Sequence, residues 1–298
     1  MNKFVIQPIK RTLLIRIMFK FISASTLLLV ILINAYSNNE INININNKLE
    51  ISSDNYDKTA DECIMLIHGF VGSTHDLKPL TQVLDTLEKA YYAVTLAGHG
   101  THPRDLKNIN HETWINDCFD IYDSLAHQYE RIVLVGFSMG GAISQLITSK
   151  RDVSKLVVLS PYFKVKQKWY YLGKPEKWAK RFSFILPYIK KLKIGQINDP
   201  KGLENYSAYE RIPLKAVGEL VKVGNLSLEE GNNIKCPTMW MHSKNDIVSD
   251  FNLSRETFDR IESADKEFIE FTRSNHIILY DYDSNEVIEQ IVRFLVEE

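Results

Sequence analysis

The chain has 298 residues, enough for one large domain or two small ones, and its 45% hydrophobic and 24% charged composition is that of an ordinary globular protein. A net charge of −1 gives no overall footprint for nucleic acid. Three scattered cysteines, Cys63, Cys118 and Cys236, form neither a disulfide framework nor a zinc spacing and are expected in the core.

Residues 1–37 stand apart. Lys3, Lys10, Arg11, Arg16 and Lys20 make the first twenty residues basic with no acid among them. An uncharged stretch follows, with "LLLVILI" at 27–33, and "AYS" at 35–37 offers small residues at the spacing of a cleavage site. A basic, then apolar, then small-residue succession predicts an export signal. Because the apolar stretch approaches the minimum spanning length, an uncleaved membrane anchor is the alternative. Either reading puts the rest of the chain outside the cytoplasm, secreted, periplasmic or membrane-anchored. Residues 38–60, which begin with a polar, Asn-rich repeat, read as a linker or a strand leading into the sheet.

From residue 61 to 298, short apolar runs alternate with helical patterns. "CIMLI" (63–67), "YYAVTL" (91–96), "RIVLVG" (131–136), "KLVVLS" (155–160), "PTMWMH" (237–242) and "KEFIEF" (266–271) predict strands. Most lack a polar alternate face, as strands covered on both sides do. Ile115, Phe119, Tyr122, Leu125 and Tyr129 recur at helical spacing, and 77–87, 139–148, 251–261 and 287–295 predict further helices. The alternation argues an α/β fold with a mostly parallel sheet and helices on both faces. From 161 to about 228 no strand is evident, which reads as an insertion on the sheet edge. Within it, residues 162–193 hold ten Lys or Arg against Glu176 alone, together with nine aromatics. Trp178, Phe182, Ile185 and Ile189 at helical spacing predict cap helices with an apolar underside rather than a nucleic-acid face.

The stretch "VLVGFSMGGAI" (133–143) surrounds Ser138 with Gly136, Gly140 and Gly141 in a chain of only 13 glycines. A G-x-S-x-G sequence between a predicted strand and a predicted helix is the setting of a nucleophile elbow. A serine hydroxyl needs a base, and the base an orienting acid, in the chain order Ser, acid, His. His68, His75, His99, His102, His111 and His127 precede Ser138, and His242 leaves too little chain for an acid before it. His276, in "TRSNHII" after the last predicted strand, satisfies the order. Asp246, in the loop after the strand ending at His242, is the expected acid, with Asp250 read as the cap of the next helix. The oxyanion formed on attack calls for preorganised backbone donors, expected from the N–H groups of Met139 and of Phe70 in "LIHGF".

Together, "HGFVGS", "LAGHGTHPRDL", "GFSMGG", "HSKNDIV" and "SNHII" resemble the α/β-hydrolase family, in its carboxylesterase and monoacylglycerol lipase branch, from about Cys63 to the C-terminus. The likeness to small bacterial carboxylesterases implies an α/β-hydrolase fold with a small helical cap at about 161–228. It implies hydrolysis of carboxylic esters through an acyl-serine, with short to medium acyl chains and monoacylglycerols as candidate substrates. No metal or organic cofactor is implied. The alternatives are an amidase or aminopeptidase-like hydrolase, or acyl transfer to another alcohol. A non-catalytic binding module is disfavoured because no triad member is missing. The expected partners are a small-molecule ester or lipid and a membrane surface touched by the N-terminal segment and the basic, aromatic cap.

Overall fold

A computed structural model describes residues 54–55, 60–164, 188–190 and 196–297. The proposed export segment, most of residues 38–60 and the expected cap residues Trp178, Phe182 and Ile185 lie outside these.

The strands are β1 (Asp54–Asn55), β2 (Glu62–Ile67), β3 (Tyr91–Val94), β4 (Arg131–Phe137), β5 (Lys155–Leu159), β6 (Tyr188–Lys190), β7 (Arg211–Pro213), β8 (Thr238–Ser243) and β9 (Lys266–Phe271). Seven form one sheet in the order β1-β3-β2-β4-β5-β8-β9, in which only β1 is antiparallel to its neighbour. The helices are α1 (Lys78–Thr86), α2 (His111–Ala126), α3 (Met139–Thr148), α4 (Pro200–Asn205), α5 (Leu214–Glu230), α6 (Phe251–Arg260) and α7 (Ser284–Val296).

Side chains along a strand alternate between the faces of a sheet, and here both faces are covered. Cys63, Met65 and Ile67 of β2 join Leu134, Val158 and Trp240 in a cluster with Trp114 of α2, Ile143 of α3, Val223 of α5 and Phe258 of α6. Ile64 and Leu66 point the other way, to Val135, Val157, Met241, Leu84 of α1 and Ile291 of α7. Polar residues would face no water on either side, which explains the continuous apolar runs. Each fully buried aliphatic side chain contributes on the order of 2 kcal/mol relative to exposure.

Polar caps set helix starts. The Asn110 carboxamide oxygen accepts from Thr113 N at 2.8 Å to open α2, and Asp250 Oδ1 accepts from Asn252 N and Leu253 N to open α6. Cys63 and Cys118 are buried and Cys236 half-buried, and none of the three is in a disulfide.

The region read as a strandless insertion differs in two respects. The strands β6 and β7 pair antiparallel, with Ile189 opposite Ile212, so Ile189 belongs to a strand and not to a cap helix. Three-residue strands are too short to display a period in sequence. In addition, α5 packs with α3 in the main helical layer through Ala216, Leu220 and Val223 rather than standing over the sheet edge.

The register aligns the carboxyl ends of the central strands: Ile67 lies beside Gly136, Phe137 beside Leu159, and Leu159 beside Met241. Loops leaving these ends converge on one rim, where open α/β sheets place their chemistry.

Candidate active site

β4 turns into α3 within one residue. Ser138 takes φ 54° and ψ −113°, a conformation that costs a residue with a side chain on the order of 1–3 kcal/mol. The glycines around it are dictated by contact. A Cβ on Gly140 would lie 2.1 Å from the Ile67 carbonyl oxygen, and one on Gly136 would lie 2.4 Å from that of Gly140. Ser138 N–H donates to Leu159 O at 2.9 Å, and its carbonyl accepts from Tyr162 N at 3.0 Å. The strained turn is thus over-determined by its neighbours, and its hydroxyl is held at the rim, 6% exposed as a residue.

The acid comes from the loop after β8. Asp246 is fully buried, and its Oδ1 accepts from Val248 N at 2.7 Å and Ser249 N at 2.9 Å. Oδ2 accepts from His276 Nδ1 at 2.7 Å, and His276 Nε2 lies 3.0 Å from Ser138 Oγ. Burial by itself would raise the Asp246 carboxyl, but the facing His276 and the hydrogen bond from His242 outweigh it and hold the group well below the usual carboxylate range. A carboxylate only accepts, so the His276 proton sits on Nδ1 and the Nε2 lone pair faces the serine hydroxyl. Ser138, Asp246 and His276 are brought together in the order and hydrogen-bond geometry expected from the sequence.

The histidine loop is fastened independently. Asn275 Oδ1 accepts from Ile247 N at 3.1 Å, tying the acid loop to the histidine loop, and Asn275 N donates to Asp281 Oδ2 at 2.7 Å. Asp281 also accepts from Asn198 N, Asp199 N and Tyr282 N, and Asp283 takes the N–H groups of Arg273 and Ser274. The Phe137 ring lies 5.4 Å from that of His276.

The loop after β2 packs on the elbow: a Cβ on Gly69 would lie 3.2 Å from Ser138 Cβ. Gly69 thus packs against the nucleophile, with Phe70 next to it in the chain, and Met139 is the first residue of α3. Three buried groups organise this loop. Asp76 Oδ2 accepts from Gly69 N at 3.1 Å. Asp76 in turn is hydrogen-bonded by the Tyr206 phenol, which burial, first, and this carboxylate hold well above its ordinary range. His68 accepts from Leu96 N at Nε2 (3.2 Å) and donates from Nδ1 to Gly69 O (2.8 Å).

Two residues escaped the sequence reading. His242, set aside as a base, donates from Nε2 to Asp246 Oδ2 at 2.9 Å. Asp76 was not singled out because nothing local marks it. Asp250, the rival acid, caps α6 as expected. Among the described residues, no cluster of His, Cys, Asp or Glu is arranged to hold a metal ion.

A hydroxyl 3.0 Å from an imidazole lone pair, on an elbow at the carboxyl rim of a mostly parallel sheet, defines an α/β hydrolase. The chain belongs to the serine aminopeptidase S33 family, whose family model matches residues 58–283. It is 24% identical to a carboxylesterase of Bacillus subtilis strain 168, over 80% of this chain and 94% of that one. It is also 24% identical to a thermostable monoacylglycerol lipase of Bacillus sp. strain H-257, over 78% and 90% of the two chains. Among solved structures, a metagenome-derived lipolytic enzyme superposes with a TM-score of 0.70 at 19% identity, covering 79% of this chain and 94% of that one.

Proposed function

We propose that the protein hydrolyses carboxylic esters, monoacylglycerols and other esters of short to medium acyl chains among them, through an acyl-serine. Ser138 Oγ attacks the ester carbonyl while His276 Nε2 takes its proton. Asp246 holds the imidazole and stabilises the imidazolium, and the N–H groups of Phe70 and Met139 meet the oxyanion. Collapse expels the alcohol, which leaves with the proton from His276. Water, deprotonated by the same imidazole, then attacks the acyl carbonyl, and the acid leaves as the acyl–Oγ bond breaks and Ser138 Oγ takes the proton back from His276.

The observation that carries this reading is the unbroken relay from Ser138 Oγ to His276 at 3.0 Å and on to Asp246 at 2.7 Å. The ester preference is supported by the similarity to a carboxylesterase and a monoacylglycerol lipase. The family's description favours a second reading, an aminopeptidase. That activity calls for a carboxylate near the substrate amine, and the 162–193 segment has Glu176 alone.

The test is turnover of p-nitrophenyl esters of graded chain length against amino-acid p-nitroanilides. Ester turnover is expected, and Ser138→Ala should lower kcat by about 10⁴-fold or more with the fold intact. A fluorophosphonate should label Ser138. Near-native ester turnover by Ser138→Ala sinks the mechanism, and anilide turnover exceeding ester turnover moves the assignment to peptidase.

Export and membrane contact belong to the same proposal. Residues 1–37 act as an export signal or anchor, and the basic, aromatic residues 162–193 meet anionic head groups. Each Lys or Arg near such a surface contributes about 1 kcal/mol. Among the described residues, no helix is long and apolar enough to cross a membrane. Protein lacking residues 1–37 should co-sediment with anionic vesicles and be released by salt. Equal partitioning to neutral vesicles counts against the idea.

A further inference from the structure

Asp246 is shared by two histidines. Its Oδ1 is occupied by two backbone N–H groups, while Oδ2 accepts both His276 Nδ1 at 2.7 Å and His242 Nε2 at 2.9 Å. The reaction as derived above has no use for the second ring. His242, near the end of β8, is fully buried, and its position is fixed by an edge-on contact with Phe251 of α6, ring centres 5.5 Å apart.

The protonation of that ring follows from its surroundings. A carboxylate oxygen accepts only, so the nitrogen facing it carries the proton. The other nitrogen, Nδ1, is buried with no hydrogen-bond partner among the described residues. A proton there would be an orphaned buried donor, costing on the order of 1–3 kcal/mol. His242 is therefore built as a single donor aimed at the oxygen that His276 uses. Other ionisable groups near the pair are committed elsewhere: Lys244 pairs with Glu270, Asp250 caps α6, and on the histidine loop Asp281 accepts from Asn275 N while Asp283 accepts from Ser274 N and pairs with Arg273.

We propose that His242 is a positioning residue for the reaction: its Nε2–H aims Asp246 Oδ2 at His276 and draws charge from it, which sets how readily His276 takes a proton. This rests on the triad reading above. The sign is determined by the geometry. An oxygen already engaged by one donor is a weaker partner for a second, so the His276 imidazolium is stabilised less than by Asp246 alone.

The experiment is the pH dependence of the rate constant for phosphonylation of Ser138 by a fluorophosphonate, with loss of fluoride, in the full-length protein, in His242→Phe and in His242→Gln. This rate constant is a property of the active molecules, so a variant that folds only in part still reports. In His242→Phe the acid limb should move to higher pH by about 0.5 to 1 unit, lowering the rate on that limb by about three- to tenfold. His242→Gln, whose amide N–H can take the place of Nε2–H, should bring the limb back to within about 0.3 unit of wild type. A limb that stays in place in His242→Phe overturns the proposal, as does one that glutamine does not restore. Histidine ¹⁵N chemical shifts of the unaltered protein supply a check that needs no variant. Nε2 of His242 should be of the protonated type, and a bare Nε2 overturns the proposal. Absence of labelling at Ser138 in wild type is a different outcome, because it removes the triad reading itself.

Discussion

At the residue scale the site is held by groups that do not react. Ser138 keeps a positive φ because Gly136 and Gly140 leave room for the neighbouring backbone, and because its own N–H and C=O are tied to Leu159 and Tyr162. The oxyanion side depends in the same way on Asp76. That carboxylate is 1% exposed and holds Gly69 N–H, and a Cβ on Gly72 would come within 2.0 Å of it. The His68–Gly69 peptide, one step before the Phe70 N–H, is therefore set by a side chain seven residues further along. Asp76→Ala removes the tether and leaves Tyr206 without its acceptor. Deleting a whole oxyanion donor costs about 10²–10³ in kcat, so misaiming one should cost about tenfold or more, with KM little changed. Steady-state kinetics on a p-nitrophenyl ester checks this. A kcat within about twofold of wild type would show that the loop holds its own shape.

At the scale of elements, what could be read from the sequence was whatever carries a local signature. β2, β4, β5 and β8 announce themselves as apolar runs because both sheet faces are covered, and the elbow announces itself because its turn excludes side chains at two fixed offsets from Ser138. Chain order then singled out His276 and Asp246. The elements that went unread lack such marks or sit in misleading surroundings. β6 and β7 are three residues each and are defined by pairing with one another. Helix α5 does have a periodic apolar face, in Ala216, Leu220 and Val223, but it lies within a stretch that reads as an insertion because no strand is evident there. His242 and Asp246 are four apart without being in a helix. They meet because the chain reverses after β8, with Asp246 N–H donating to Ser243 O at 3.1 Å. A reversal of that kind is a property of the backbone path, and no residue pattern in "HSKND" reports it.

At the scale of the whole molecule, buried imidazoles make folding stability depend on pH in a window where most proteins are indifferent. His68 is lowered to about 4, chiefly by burial and against the effect of its bond to Gly69 O. Leu96 N–H requires a bare Nε2, so protonating His68 breaks a bond within the core. His99 is lowered to about 3, by burial first and then by its neighbour His68, with ring centres 5.1 Å apart. In the unfolded chain both titrate near 6.5. Between about pH 6.5 and pH 4 the unfolded state thus binds more protons than the folded state, and stability falls as pH falls. One pH unit of difference is worth about 1.4 kcal/mol, so His68 alone accounts for about 3 kcal/mol across the window. Asp246 acts in the same direction but lower. Its depressed carboxyl contributes stability that is present above about pH 4 and is lost as pH drops below that. Melting temperatures at constant ionic strength should therefore decline from pH 7 to pH 4.5, before carboxylates protonate. His99→Phe should flatten the decline. Its ring would keep the aromatic contacts with Phe70 and Trp114, and Ala97 O would still accept from Trp114 Nε1 at 2.9 Å. A melting temperature constant from pH 7 to 4.5 refutes the argument, and so does a His99→Phe protein with the wild-type slope.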